Sequence, residues 1–152
     1  MNGSPPERVM DYKQLVEAIG DAIIVCDGKG FIRFWSPSAE RLFGYSSGEA
    51  VGKTLDIIIP ERLRERHWVG YDKTMATGVT RYAHDVLQVP ATHKDGHVVS
   101  IAFTVGLLRG PQDKVEGIVA VIRDDTARFT EVKELRKQLA DLTSKLSLHG
   151  SA

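Results

Sequence analysis

The sequence predicts one α+β domain, built on a five-stranded antiparallel sheet with short helices over one face. Five apolar, β-branched or aromatic runs are joined mostly by glycine-containing turns, a pattern typical of antiparallel hairpins. The helical patterns between them are gathered between the second and third runs and do not alternate with the strands. With 152 residues, 42% of them hydrophobic, the chain has enough apolar material for one buried core.

The first part of the chain predicts a helix, a hairpin and a second helix. Residues 1–6 are predicted to be a disordered lead, and residues 7–20 an amphipathic helix that ends at a glycine. The runs AIIVCD and FIRFW flank Gly28-Lys29-Gly30, which supplies the positive backbone φ of a tight turn, so we expect them to pair antiparallel. SPSAERLFG then combines a serine cap, an early proline and a final Gly44, the signature of a brief helix.

A longer helix is predicted over residues 61–76. It follows Pro60, which is well tolerated beside a helix start, and only Gly70 interrupts it. The three remaining strands are predicted within residues 81–92, 97–109 and 116–124, separated by turns at Lys94-Asp95-Gly96 and Gly110-Pro111. The core domain is therefore expected to span residues 21–125.

The last segment, residues 126–148, predicts an amphipathic helix that begins at the capping sequence Asp124-Asp125-Thr126. Its apolar residues are spaced alternately by three and four, as in a coiled-coil seam. The seam consists of Val132, Leu135, Leu139, Leu142 and Leu146. Two interpretations are open: a helix folded back on its own sheet, or a dimerising coiled coil. We favour a homodimer formed through the N- and C-terminal helices.

Composition restricts the function classes. Lysine plus arginine and aspartate plus glutamate are equal at 20 each, so neither nucleic acid nor a membrane surface is an expected partner. Cys26 is the only cysteine, which excludes all-cysteine metal sites within one chain. The sequence also lacks a long apolar run, a signal-peptide pattern, a phosphate-binding glycine loop and a nucleophile elbow. We therefore expect a cytoplasmic protein that is not an enzyme.

Three segments resemble the PAS family of sensory domains, over roughly residues 13–130. They are DAIIVCDGKGFIRFWSPSAERLFGYSSGEAVGKTL, KDGHVVSIAFTVGLL and GIVAVIRDDTAR. The resemblance implies the PAS fold, with flanking amphipathic helices that mediate dimerisation. It also implies a small cavity that holds heme, flavin, another chromophore, a metabolite or nothing.

The segment LRERHWVGYDKTMATG resembles the central helix of heme-binding PAS sensors, including the rhizobial oxygen-sensing kinases. The resemblance implies heme b bound through His67 as the only metal ligand, with Tyr71 at the position of the tyrosine that follows in those sensors. Lys73 corresponds to their propionate-facing arginine, and Arg81 is a second basic candidate. Leu87 replaces their distal arginine, so carbon monoxide, nitric oxide or redox sensing is favoured over oxygen sensing.

Flavin is not expected. The asparagine-cysteine-arginine motif of the LOV flavin photosensors is absent from the sequence, and Cys26 lies in the first predicted strand. If heme is absent too, the cavity holds an unknown metabolite or no ligand.

The residues themselves place Leu63, His67, Tyr71 and Met75 on one helical face, because they are spaced by four. Two interpretations of His67 follow, an iron ligand or a packed core histidine. In the second interpretation, the other apolar candidates are core residues, and the chain is a cofactor-free dimerisation or interaction module. These candidates are Tyr71, Met75, Leu87, Phe103 and Val105. In either case we expect the output to pass to a kinase, regulator or other effector.

The other histidines are expected to have no ligand role. His93 and His97 flank the predicted turn at Lys94-Asp95-Gly96 and are predicted to be solvated. Together with His84 they show no convergent spacing for zinc, so no zinc site is predicted.

Overall fold

The computed structural model describes Gly3 and residues 9–150. The predicted disordered lead lies outside these residues apart from Gly3, as do the first two residues of the predicted N-terminal helix. The helices are α1 (Tyr12–Ala18), α2 (Pro37–Phe43), α3 (Ser47–Ala50), α4 (Glu61–Thr77) and α5 (Thr126–His149). The strands are β1 (Ala22–Asp27), β2 (Ile32–Trp35), β3 (Leu87–Thr92), β4 (Val98–Arg109) and β5 (Val115–Asp124).

The five strands form one sheet in the order β2-β1-β5-β4-β3. Every neighbouring pair is antiparallel, and the predicted hairpin of β1 with β2 is present. The α2, α3 and α4 helices fall between β2 and β3 in the chain. The predicted α+β fold class is therefore confirmed.

The register places one set of side chains on the face covered by helices. Opposite partners across the central strands include Ile24 with Ala120 and Ala120 with Val105. Because side chains alternate along a strand, every second residue from these positions faces the same side. The buried cluster on this side also contains Phe43 of α2 and Tyr71 of α4. The core thus lies between the sheet and the central helices.

The local signals for α2 act as the sequence indicates. The hydroxyl of Ser36 accepts a hydrogen bond from the Ala39 N–H at 3.2 Å, as an N-cap does. The same hydroxyl accepts one from the Ile23 N–H at 2.9 Å, which ties the helix start to β1. Gly44 ends the helix with φ +82°, a left-handed conformation that favours glycine.

Two predicted elements are longer than the observed ones. The predicted strand over residues 81–92 is wrong in its first half, where Arg81–Ala83 forms a 3₁₀ turn. The Thr80 hydroxyl accepts a hydrogen bond from the Tyr82 N–H at 3.2 Å, and this local bond competes with strand pairing. The N-terminal helix begins only at Tyr12, because the Asp11 carboxylate caps it by accepting from the Gln14 N–H at 3.1 Å.

The C-terminal helix α5 follows β5 almost directly. Asp125 occupies the N-cap position without a side-chain cap bond, and the Asp124 carboxylate accepts instead from the Thr126 N–H at 2.9 Å. The four leucines of the predicted seam are 55–73% exposed, so this helix does not bury them on its own sheet. Among the described residues, no helix combines the length and apolarity needed to cross a membrane.

Candidate functional site

The predicted ligand His67 lies in the middle of α4 and is partly buried. Its ring meets Trp68 edge-on at 4.6 Å between ring centroids and lies 5.9 Å from the Tyr71 ring. Trp68 also contacts Tyr71, at 5.3 Å, so the three rings form a continuous aromatic group. The helical spacing of four brings Tyr71 under His67, as the sequence predicts.

The Nδ1 atom of His67 is buried and has no hydrogen-bond partner in the part of the chain that the structure describes. Leaving a buried polar atom unpaired costs about 1–3 kcal/mol, so such atoms are uncommon in folded proteins. Burial lowers the pKa of His67, with Asp56 acting in the opposite direction. Burial therefore favours the neutral imidazole, which is the form that binds metals.

Two hydrogen bonds and one ring contact hold α4 in place, one bond to the 3₁₀ segment Leu55–Ile57 and the other to the end of β1. The Trp68 Nε1 donates to the Asp56 carboxylate at 2.7 Å, and the Tyr71 hydroxyl donates to the Asp27 carbonyl at 2.5 Å. The Trp68 ring lies against Gly30, where an added Cβ would come within 2.3 Å of a ring carbon. The helix that carries His67 is therefore held against the β1–β2 hairpin at two points, Asp27 and Gly30.

The β1–β2 turn is organised by the Asp27 carboxylate. It accepts hydrogen bonds from the Lys29 N–H at 3.0 Å and the Phe31 N–H at 3.1 Å, and from the Arg33 Nε at 2.8 Å. Burial of the carboxylate acts to raise its pKa, but the bonds from Arg33, Phe31 and Lys29 outweigh it and hold the pKa of Asp27 below its ordinary 3.8. The sequence predicts the turn from its glycines, whereas the role of Asp27 was not predicted.

The apolar candidates converge on the helix-facing side of the sheet. Phe103 is opposite both Leu87 and Ile122 across its neighbouring strands. Met75, Phe103 and Val105 pack as partly buried residues against the core cluster that includes Tyr71, and Leu87 is partly buried too. These side chains therefore belong to the packed core between α4 and the sheet, and their role as the lining of a ligand pocket stays a prediction.

The two basic candidates lie outside this cluster. Lys73 is exposed on α4, and Arg81 is exposed in the 3₁₀ turn that precedes β3. The Arg81 guanidinium donates to the Tyr82 hydroxyl at 2.7 Å and lies 4.9 Å over that ring. Both cations lie on the surface, and their contact with propionates stays a prediction.

Two histidines that were predicted not to converge do so around an aspartate. His93, Asp95 and His97 each offer a ligand atom, and these atoms lie within 4.8 Å of one another. The sequence signal was the His-x-Asp-x-His spacing across a hairpin turn, in which Asp95 was assigned only to the turn. The prediction of two solvated histidines holds for His97, whose side chain is 57% exposed, but not for His93 at 21%.

The junction with α5 was not predicted beyond its capping sequence. Ser100 in β4 accepts a hydrogen bond from the Asp125 N–H at 2.7 Å and donates its own N–H to the Thr126 hydroxyl at 3.2 Å. Nearby, the Arg123 guanidinium donates to both carboxylate oxygens of Asp21, at 3.1 and 3.2 Å. The sheet is thus joined to the start of α5 and to the segment that follows α1.

A sequence profile described as the PAS fold matches residues 10–124. The chain belongs to the PAS family. The five-stranded sheet and the helices over one face agree with this assignment, and the resemblance seen in the sequence is confirmed.

Known proteins similar to this PAS domain include signal-transduction sensors. Sensor protein FixL of Bradyrhizobium diazoefficiens is 28% identical over 99% of this chain and 30% of its own length. The cell-division control histidine kinase PdhS of Brucella ovis is 26% identical over 78% of this chain and 11% of its own length. A solved PAS domain from Colwellia psychrerythraea is 25% identical, with a TM-score of 0.66, and the match covers 76% of this chain and 95% of that one.

This PAS domain therefore spans about a third or less of those two curated relatives. It is a sensory-type PAS domain homologous to parts of signal-transduction sensors.

Proposed function

We propose that this PAS domain is a sensory module that holds a ligand between α4 and the sheet and relays its state through α5 to an effector. The observation that carries the proposal is the buried Nδ1 atom of His67, which has no hydrogen-bond partner among the described residues. A neutral imidazole with an unpaired nitrogen beside an apolar interior is suited to ligation. The effector is a kinase, a regulator or another output protein, and the domain itself performs no catalysis.

Heme b is the proposed ligand, and the residues around His67 fit it in chemical type. His67 would ligate the iron, Tyr71 and Met75 would contact the macrocycle from α4, and Leu87, Phe103 and Val105 would contact it from the sheet. Lys73 and Arg81 are the cations for its propionates. When bound, heme supplies an iron centre that binds diatomic gases and changes redox state.

With heme bound, the apolar sheet residues would keep water away from the iron and would offer a gas ligand no charged hydrogen-bond donor. Leu87 is a hydrocarbon at the position from which the related oxygen sensors present an arginine. Oxygen depends more on such a donor than carbon monoxide does, so we assign the domain to carbon monoxide, nitric oxide or redox sensing.

The proposed relay passes from the sheet to α5 at Ser100. A ligand that favours one arrangement of the sheet shifts the population of α5 orientations only if it binds the two arrangements with different affinity. The two backbone hydrogen bonds of Ser100 connect β4 directly to Asp125 and Thr126. They provide a short physical path from the sheet to the output helix.

The proposed partner of α5 is a second copy of this chain. The exposed seam leucines are spaced as in a two-stranded coiled coil, and α1 exposes Leu15 at 47% while its C-cap residue Ile19 is 38% exposed. Both helices adjoin the same end of the sheet, where Asp21 pairs with Arg123. A dimer that uses both helices would bury these apolar side chains together.

Hemin titration of the purified protein tests the ligand assignment. We expect a saturable Soret band with one hemin per chain, which His67→Ala loses and His84→Ala retains. His84 is a matched control because it is an exposed histidine outside the α4 group. A band of equal intensity and affinity in wild type and His67→Ala, or no saturable band in wild type, would overturn the assignment.

A cofactor-free dimerisation module is the second candidate, and one observation favours it. The polar atoms of Trp68 and Tyr71 already donate hydrogen bonds to Asp56 and Asp27. These two side chains therefore have no polar donor left for a ligand. On this alternative, hemin produces no specific band while sedimentation still reports a dimer. The two measurements together separate the candidates.

A further inference from the structure

The tip of the β3–β4 hairpin carries a group of donor atoms that the proposed sensory site does not use. The β3–β4 register pairs Thr92 with Val98, so His93 and His97 are the next opposite pair at the tip. The His93 N–H donates to the His97 carbonyl at 2.9 Å, and the two rings stack at 4.4 Å between centroids. The backbone therefore holds both imidazoles on the same side of the hairpin.

The Asp95 carboxylate lies between the two rings. Its Oδ1 atom is 3.2 Å from the Nδ1 of His93 and in direct contact with the Nδ1 of His97. The Asp95 N–H also points at the His93 Nδ1, at 3.1 Å, so this nitrogen presents its lone pair and not a proton. Because an imidazole nitrogen has a single lone pair, a bound cation would take the place of this N–H hydrogen bond at the His93 Nδ1.

We infer that His93, Asp95 and His97 form a binding site for a borderline divalent cation of the zinc type. Two imidazoles and one carboxylate are donors that such cations accept, with bonds of about 2.0–2.2 Å. In a tetrahedral complex with those bonds, two ligand atoms lie about 3.3 Å apart. The 3.2 Å separation of the His93 and Asp95 atoms matches this spacing, whereas the His97 Nδ1 and the Asp95 Oδ1, which are in direct hydrogen-bond contact, would have to move apart to reach it.

The site is preorganised on one side and open on the other. The His93 ring lies against Gly44, where an added Cβ would come within 2.4 Å of a ring carbon, and the Lys94 N–H donates to the Phe43 carbonyl at 2.9 Å. Asp95 and His97 are 62% and 57% exposed, which leaves room for a water molecule as the fourth ligand.

The nearest lysine does not oppose cation binding. The Lys94 ammonium is paired with the Glu49 carboxylate at 2.5 Å, so its charge is compensated by α3. A bound cation would link the two sides of the hairpin tip, and through the His93 contact with Gly44 it would fix the tip against the end of α2.

Titration of the full chain with Co²⁺ tests the site, because tetrahedral cobalt has visible d–d absorption and zinc displaces it. The protein is used after removal of any histidine tag and dialysis against a chelator. We expect one equivalent of Co²⁺ to bind, Zn²⁺ to displace it, and His97→Gln to weaken binding at least about tenfold. Asp95→Asn, which keeps a side-chain acceptor for the His97 N–H, should weaken it similarly.

Two control variants define the result that would overturn the inference. His84→Gln and His149→Gln remove exposed histidines outside the hairpin tip and outside α4, and should bind Co²⁺ as the wild type does. If the wild type fails to bind one equivalent, or if His84→Gln loses binding equally, the three side chains are joined only by hydrogen bonds and form no metal site. Loss in His67→Ala alone would place the metal at α4. Because the cobalt and hemin titrations are independent, either proposal can fail without the other.

Discussion

The hydroxyl of Tyr71 donates a 2.5 Å hydrogen bond to the backbone carbonyl of Asp27, and so joins the centre of α4 to the end of β1. Burial raises the pKa of Tyr71, with the nearby Cys26, Asp27 and Asp72 acting in the same direction, so the phenol stays a donor throughout the physiological range. We expect Tyr71→Phe to lower the free energy of unfolding by about 1 kcal/mol, measured by urea denaturation. Tyr82→Phe is the control, and an equal effect in both variants would contradict the assigned role.

The contact between Gly30 and Trp68 can be separated from backbone strain. Gly30 and Gly52 have φ of +86° and +91°, but an added Cβ meets Trp68 only at Gly30 and nothing within 4 Å at Gly52. Alanine in a left-handed conformation costs about 1–2 kcal/mol at either site. We expect Gly30→Ala to destabilise the fold by about 1–3 kcal/mol more than Gly52→Ala, as measured by thermal unfolding. Equal losses would show that α4 yields to the extra methyl group.

Acid should remove the contribution of Asp27. Because its folded pKa lies below the ordinary 3.8, its stabilisation is complete well above that pH and is lost as pH falls through the folded pKa. We expect Asp27→Asn to cost about 1–2 kcal/mol at neutral pH and progressively less below 3.8. Urea titrations of wild type and variant over this range measure the difference, with Asp141→Asn on the exposed part of α5 as control. If the difference in the free energy of unfolding between wild type and Asp27→Asn did not change with pH, the ionised carboxylate of Asp27 would not be the stabilising form.

Cys26 should resist thiol reagents in the folded protein. It is 1% exposed, and burial, with a smaller effect from Asp27, raises the pKa of its thiol from 9.0 to about 12. The thiolate fraction at neutral pH is therefore lowered roughly a thousandfold. Because Cys26 is the only cysteine, the expected result is no labelling in buffer and one label per chain in denaturant. Rapid labelling of the native protein would show that β1 opens locally.

The seam of α5 predicts the effect of a charge at Leu139. This residue is 65% exposed, so Leu139→Lys should leave the unfolding of the isolated domain unchanged while it disrupts the proposed dimer. Analytical ultracentrifugation over a range of concentrations measures the change. Lys137→Glu, on the same helix and outside the seam, is the control. A wild-type chain that sediments as a monomer at every concentration would contradict the dimer.

Local signals in the sequence predicted most of the fold. Gly44 and Ser36 bound α2 as expected, because a left-handed end and a hydroxyl cap act within a few residues. The strand predicted from Arg81 failed because the Thr80 hydroxyl competes locally for the backbone, and periodicity alone does not show this.

Residue spacing predicted the helical side of the candidate site, whereas its sheet side was predicted only through the resemblance to the PAS family. The spacing of four placed His67 above Tyr71, but no sequence pattern indicates that the His67 Nδ1 lacks a partner, since this depends on every element packed around it. The role of Asp27 and the convergence of His93 with His97 depend on strand register and turn geometry. Neither the hydrogen bonds of Asp27 nor the approach of His93 to His97 is indicated by a local sequence pattern alone.

The attachment of α5 at Ser100 gives this helix the property of a lever. Its 24 residues extend about 36 Å from a pivot made by two adjacent backbone groups. A tilt of about 5° at the pivot therefore displaces the far end by about 3 Å. A change of a few degrees in the angle at which α5 leaves Ser100 is thus sufficient to change the position of His149 by about the width of a methyl group.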